Sequence, residues 1–382
     1  MARHLVVSCG FLLACQGAGV DVGATLETSG EATTTSAGAT SAGPSTSSAT
    51  TAVDASTSAA SSGESGAPDL GGAALPCGPE GPDAVMACVD RDRYAADVEF
   101  IAAVRTPGST HWHEVQERCV SAFDELGLDV ELHTYATGVN VLATLPGSGP
   151  GADERVILGA HYDHIEGCDG ADDNATGVAG VLEVARALAA TQPARTVQFA
   201  CWDEEELGLR GSRAHASALQ SAGVAVRVAF NFDMIGFTNP APGAQIFPGP
   251  LADRFPGLAE ELVAHEGRAD FIAVVTDDLA APFALDLEAR AESLGRLTGV
   301  MALSADEILS GDYSILSFSD HRSFWERGAP ALQVFDTGVF RNPAYHCQGG
   351  EDVVATLDHD FAFDVLRATA GAIAAAAGVG DR

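Results

Sequence analysis

Two rhythms of apolar residues alternate along most of this chain. Short, nearly unbroken apolar runs rich in β-branched and aromatic residues fall at 139–145, 156–160, 196–202, 228–232 and 331–335. Runs of that kind predict strands buried on both faces of a largely parallel sheet. Between them, Val178, Val181, Leu182, Ala185 and Leu188 return at helical spacing. Trp112, Val115, Cys119 and Phe123 do so earlier, and Phe361, Val365, Ala368 and Ala372 do so near the end. The alternation predicts an α/β fold, a three-layer sandwich whose mostly parallel central sheet carries helices on both faces. Ligands of such sheets bind beyond the carboxyl ends of the strands. Chemistry is therefore expected just after each apolar run.

The start of the chain follows neither rhythm. Arg3 and His4 precede an apolar run from Leu5 to Ala14 that is too short to span a bilayer, which predicts a signal peptide over 1–14. The run closes in Leu12-Leu13-Ala14-Cys15, which resembles the box after which bacterial lipoproteins are cut and acylated on cysteine. Ordinary signal cleavage nearby is the alternative. Residues 15–80 are mostly Ser, Thr, Ala and Gly. That composition cannot bury enough surface to offset the entropy of ordering, so a flexible tether is expected. The folded, catalytic part is assigned to 81–380. The expected location is outside the cell, lipid-anchored at the bacterial envelope or else secreted.

Composition narrows the partners. The 382-residue chain is 46% hydrophobic and carries 20 basic against 53 acidic residues, a formal charge of -33. All its basic side chains other than histidine are arginine. Such a surface repels phosphate backbones and anionic lipid, so no nucleic acid partner is expected, and membrane contact only through a lipid at Cys15. The chain is expected to act as a monomer. Past Cys9 and Cys15, six cysteines remain, an even set that suggests disulfides in an exported protein. Cys168 and Cys347 lie in candidate metal loops, where a bridge would clamp the site. Cys77, Cys88 and Cys119 compete for one another. Cys201 sits inside an apolar run and is expected to be a buried free thiol.

Five segments carry the candidate chemistry: His161-Tyr162-Asp163, Gly170-Ala171-Asp172-Asp173-Asn174, Glu204-Glu205-Glu206-Leu207-Gly208-Leu209, Asn231-Phe232-Asp233-Met234 and Tyr345-His346-Cys347. Taken singly, each has a plainer reading. His161 suits a core histidine, Asp172 to Asn174 a helix cap, and the three glutamates a solvated acidic run. Asp233 amid apolar neighbours needs a partner to stay charged. A pair of divalent cations explains all five at once, since hydrolytic metal pairs need imidazole and carboxylate ligands.

In order and wording these segments resemble those of the double-zinc exopeptidases of peptidase family M-twenty-eight, the secreted bacterial leucine-type aminopeptidases, over about Arg105 to Asp360. The resemblance implies that His161, Asp233 and Asp172 hold one metal. It implies that Asp172 bridges to a second metal completed by Glu206 and His346. Glu205 would be the general base, and Asp163 would orient His161. A cis peptide is implied between Asp172 and Asp173. Two zinc ions are implied, with cobalt or manganese as substitutes. Their four positive charges against the three carboxylates favour a metal-bridging hydroxide at neutral pH. The family's oxyanion-stabilising residue comes from near a Ser-Asp-His triplet, here Ser319-Asp320-His321, and Tyr313 or His321 would serve. The implied activity is removal of N-terminal residues from peptides with a free N-terminus. A carboxypeptidase, a glutaminyl-cyclase-like enzyme and a catalytically silent binding module remain as alternatives on the same fold.

Overall fold

The computed structural model describes residues 81–380. The segments expected to be a signal and a tether, with Cys15 and Cys77, lie outside the described residues. The five apolar runs form β2 (Val139–Leu145), β3 (Arg155–His161), β4 (Thr196–Trp202), β5 (Val226–Phe232) and β8 (Ala331–Phe335). Three further strands complete one sheet: β1 (Asp129–Thr134), β6 (Ile272–Asp277) and β7 (Thr298–Leu303). The order is β1-β2-β4-β3-β5-β8-β6-β7. The four strands β4, β3, β5 and β8 run parallel to one another, as do β6 and β7. The pairs β1/β2, β2/β4 and β6/β8 are antiparallel. Polar β1 is an edge strand with no buried residue, which is why its sequence lacks an apolar run.

Each central strand feeds two cores by alternation. In β4, Val197, Phe199 and Cys201 enter one apolar cluster while Ala200 and Trp202 enter the other. The first cluster lies under the helices Arg91–Ile101, Thr110–Glu125, Gly177–Leu188 and His359–Ala377. The second lies under Arg210–Ser221 and Pro256–Ala264. Helix Gly177–Leu188 is buried on nearly every side, as a helix between a sheet and an outer helix must be. Among the described residues no helix is long and apolar enough to cross a membrane.

Cys201 is not a free thiol. Its side chain points from β4 toward the helix Thr110–Glu125, whose Cys119 reaches the same level, and the two form a disulfide. Cys168 and Cys347 also form a disulfide, across 179 residues and with Cα atoms 5.8 Å apart.

Gly159 in β3 faces the ring of Trp202, where an added Cβ would lie 2.4 Å from the indole. The indole Nε1–H donates to Nδ1 of His215 at 3.1 Å, and His215 Nε2–H donates to Gln198 Oε1 at 3.0 Å. The first bond requires Nδ1 to accept, and so a neutral imidazole. Burial, with His133 nearby, pushes its pKa down to about 3. In the unfolded chain His215 titrates near the ordinary value of about 6.5. Between those values the unfolded state binds the extra proton, so this residue's contribution to stability is present above about pH 6.5 and is lost as pH falls. The denaturation midpoint of His215→Gln, measured from pH 7 to pH 4, is expected to fall less steeply than that of the parent. Parallel profiles would refute the account.

Candidate metal centre

β3 lies between β4 and β5, and the chain leaves it first to one side and then to the other. The crevice beyond the carboxyl ends of these strands is where the candidate residues gather. His161 is the last residue of β3, Glu205 and Glu206 follow β4 by a short turn, and Asp233 directly follows β5. His346 arrives on the loop after β8, and Asp173 on the loop that enters helix Gly177–Leu188.

The donor atoms fall into two groups sharing one aspartate. His161, Asp173 and Asp233 form one, and His164, Asp173 and Glu206 the other, with the atoms of each group within 4.8 Å of one another. His161 Nε2 lies 3.4 Å from Asp173 Oδ1 and 3.8 Å from Asp233 Oδ1. His346 Nε2 lies 3.4 Å from Asp173 Oδ2 and 3.3 Å from Glu206 Oε2. Asp173 thus occupies the shared position expected of Asp172. The carboxylate of Asp172 turns the other way, accepting from the Gly236 N–H at 2.9 Å and from Asn342 Nδ2 at 2.9 Å. The cis peptide likewise lies one residue on, between Asp173 and Asn174. Two adjacent aspartates look alike in sequence, and only the turn from Gly170, at φ 58°, decides which one faces the crevice.

Several side chains hold this arrangement. Asp163 accepts the backbone N–H of Glu205 at 2.9 Å and of Glu206 at 3.3 Å, fixing the turn after β4. Its backbone carbonyl accepts from His161 Nδ1 at 3.2 Å, which leaves Nε2 facing Asp173 and Asp233. Asp352 spans the N–H groups of Asp172 and Asp173 at 2.9 and 3.0 Å. Asn174 accepts the Gly177 N–H, capping the helix, and donates to the Phe232 carbonyl at the end of β5. Arg105, fully buried, donates to the carbonyls of Asp169, Gly170 and Asp173. Sequence reasoning assigned no role to Arg105, Asp352 or Asn342, and nothing local in their segments marks them.

The remaining candidates divide. Glu204 is engaged by Thr137 and by Arg210 and belongs to neither donor group. Asp320 is fully buried with neither carboxylate oxygen hydrogen-bonded, and burial pushes its pKa up to about 7 against the pull of His161. His321 donates from Nε2 to the Leu316 carbonyl at 3.0 Å and packs edge-on against Trp325. Burial pushes its pKa down to about 4, so it is a neutral structural imidazole. Tyr313 packs half-buried against the second apolar cluster. Tyr345 instead stacks on His346, ring centroids 3.9 Å apart. Burial and then Asp173, Glu206, Asp233 and Glu205 push its phenol far above the usual range, so it stays a hydrogen-bond donor beside the site. Its signal in the sequence was its place directly before His346.

Electrostatics shows what the crevice lacks. Burial opposes charge on His161, but Glu205, Asp163, Asp173 and Asp233 outweigh it and hold the imidazole well above its ordinary pKa. Burial likewise opposes charge on His346, while Asp173 and Glu206 push its pKa up to about 10. Burial raises Glu205 well above the carboxylate range; His161 lowers it, and Glu206, Asp320 and Asp233 raise it further. Glu206 Oε1 and both ring nitrogens of His164 are buried without hydrogen bonds. Mixed imidazole and carboxylate donors, converging without bonding one another, fit a pair of divalent cations such as zinc.

The fold agrees with that of known proteins. Peptidase family M28 matches residues 140–361, and the chain belongs to that family. It is 32% identical over 214 residues to the uncharacterized protein YfbL of Escherichia coli K12, covering 53% of this chain and 61% of that protein. It is 32% identical over 173 residues to leucine aminopeptidase 2 of Trichophyton equinum, covering 40% of this chain and 34% of that protein. The chain thus spans less than two thirds of the length of these relatives. The crystal structure of the Legionella pneumophila LapA aminopeptidase superposes with a TM-score of 0.59 at 17% identity, covering 78% of this chain and 75% of that one, which shows a shared fold.

A cation entering this site must displace protons from His161 and His346. Zinc binding is therefore expected to release protons and to tighten as pH rises from 6 to 8. Calorimetry in buffers of different ionisation enthalpy measures the release; binding without it would contradict the charge balance above.

Proposed function

We propose that this protein is a two-zinc exopeptidase that removes residues from the free amino termini of peptides. The first position is assigned to His161, Asp173 and Asp233. The second is assigned to Asp173, Glu206 and His346. When bound, the ions would acidify a water and polarise the scissile carbonyl. Glu205, held by Asp163 through its backbone but belonging to neither donor group, takes the proton from the attacking water and returns it to the departing amine. The Tyr345 hydroxyl donates toward the developing oxyanion, a role for which neither Tyr313 nor His321 is placed as well.

The preference for an amino terminus rests on one observation, the density of carboxyl groups in the crevice: Asp173, Asp233 and Glu206 in the donor groups, with Glu205 and Asp320 close by. The nearby arginines offer little to a substrate carboxylate. Arg105 and Arg341 are buried, and their N–H groups are engaged mainly by backbone carbonyls. A crevice of that polarity favours an ammonium over a carboxylate.

Export is part of the proposal, with a lipid on Cys15 and residues 15–80 as the tether. The expected effect of Cys15→Ser is release from the membrane fraction with peptide hydrolysis unchanged. An unmodified mature terminus beyond Cys15, read by mass spectrometry, would remove the anchor and leave the peptidase intact.

For the chemistry, Glu205→Gln is expected to lower kcat by about a hundredfold or more while zinc content stays near two equivalents. Tyr345→Phe is expected to lower kcat by about tenfold or more with KM little changed. Aminoacyl and N-blocked peptides assayed with and without a chelator test the class. Hydrolysis of N-blocked peptides from the carboxyl end, cyclisation of an N-terminal glutamine, or full activity in strong chelator would each overturn the assignment.

A further inference from the structure

We propose that His164 is a sixth metal-binding side chain, so that the position served by Asp173 and Glu206 is closed by two imidazoles, His164 and His346. The proposal rests on the two-cation reading above and goes beyond it, since the five-residue set needs only His346 there.

The starting observation is an unsatisfied ring. His164 is fully buried, and neither of its nitrogens has a hydrogen-bond partner. Its Nδ1 nevertheless lies 2.9 Å from Glu206 Oε1, an oxygen that is also unpartnered, and 4.0 Å from Asp173 Oδ1. Two polar atoms at that separation would normally bond. Here their directions miss one another, as they do when both face a common third centre. Leaving two buried polar groups unmet is costly. A cation held by both relieves that cost.

The distances suit a shared ion. Zinc sits about 2.0–2.2 Å from nitrogen and oxygen ligands, so two ligands of one ion lie no more than about 4 Å apart. His164 Nδ1 lies 2.9 Å from Glu206 Oε1 and 4.0 Å from Asp173 Oδ1, and His346 Nε2 lies 3.3 and 3.4 Å from the other oxygen of each carboxylate, Glu206 Oε2 and Asp173 Oδ2. The two rings approach from different directions, with centroids 6.0 Å apart at 66°.

The two histidines differ in how they are held. His164 packs on Gly170, where an added Cβ would lie 2.5 Å from the imidazole, and Gly170 leads directly into the Asp172-Asp173 turn. Its backbone N–H donates to the Arg105 carbonyl at 3.4 Å. His346 is half-buried on a loop and takes a left-handed backbone, φ 54°, beside the disulfide-bonded Cys347. His164 is thus the rooted ligand and His346 the one on a tether. Four side chains close the second position, whereas His161, Asp173 and Asp233 leave the first open. Closed sites hold structural zinc tightly, and three-ligand sites keep a place for water or substrate. The second ion is the one that stays.

Zinc titration of the full chain against a chromophoric chelator tests this, with His164→Ala, His164→Phe, His346→Ala and the double variant His164→Ala/His346→Ala. The phenylalanine fills the same space on Gly170 without a donor, which separates lost ligation from lost packing. Each single variant is expected to keep the second ion with affinity weakened at least about tenfold. The double variant is expected to bind one equivalent. In the cobalt-substituted protein, His164→Phe is expected to change the intensity of the visible ligand-field bands, which report coordination independently of turnover. The proposal is overturned if His164→Phe binds two equivalents with parental affinity and an unchanged cobalt spectrum. It is overturned equally if His346→Ala alone empties the second position. Either result in a zinc-dependent peptidase leaves the proposed function standing; a parent chain that binds no zinc removes both.

Discussion

The constraint on which this structure depends is buried negative charge. Asp163, Asp172, Asp173, Asp233, Asp320, Asp336, Asp352, Glu205 and Glu206 converge on the carboxyl ends of four adjacent strands, and most are wholly out of solvent. Carboxylates concentrated in this way repel one another and lose their hydration, so each must be neutralised, paired with backbone N–H groups or protonated. All three solutions are present. Asp163 and Asp352 take pairs of backbone N–H groups. Asp172 is pushed well above the carboxylate range by burial and by Asp336, which favours its protonated form. Asp173, Asp233 and Glu206 are left facing imidazoles, and those three suit cations.

That division explains why the supporting residues are acids as often as bases. A carboxylate accepting two consecutive backbone N–H groups fixes a turn more firmly than an amide can, because both bonds are charge-assisted. Asp163 does this for the Glu205-Glu206 turn and Asp352 for the Asp172-Asp173 turn. Asp172 ties the segment after β5 to the segment before His346 through Gly236 and Asn342. Beneath them, Arg105 and Arg341 supply the buried positive charge.

Much of this was legible in the sequence, for a physical reason. The strands that position the site are buried on both faces, so their apolar runs are unbroken and stand out. β1 was missed because it is a polar edge strand, and β6 and β7 because they lie in a stretch of mixed patterning on the far side of β8. At the site, residue types and their order were readable because ligand chemistry restricts both. The choice between Asp172 and Asp173 was not, since it depends on the backbone turn at Gly170. Cys201 was misread because a disulfide to a helix overhead leaves no mark on a strand's own pattern. His164 and Arg105 went unremarked for a related reason: their roles come from what surrounds them, and no motif of their own announces it.

The covalent bridge between Cys168 and Cys347 has a consequence for timing. It joins the loop after β3 to the loop after β8, and the donor residues span the same stretch of chain. A ribosome delivers these segments in order, so His161, His164, Asp173, Glu206 and Asp233 all emerge before the loop that brings Tyr345, His346 and the second cysteine. Until that loop has docked, the growing polypeptide has neither the phenol nor the tethered imidazole at its crevice. In the proposed function, the crevice is therefore complete only once this last loop has docked.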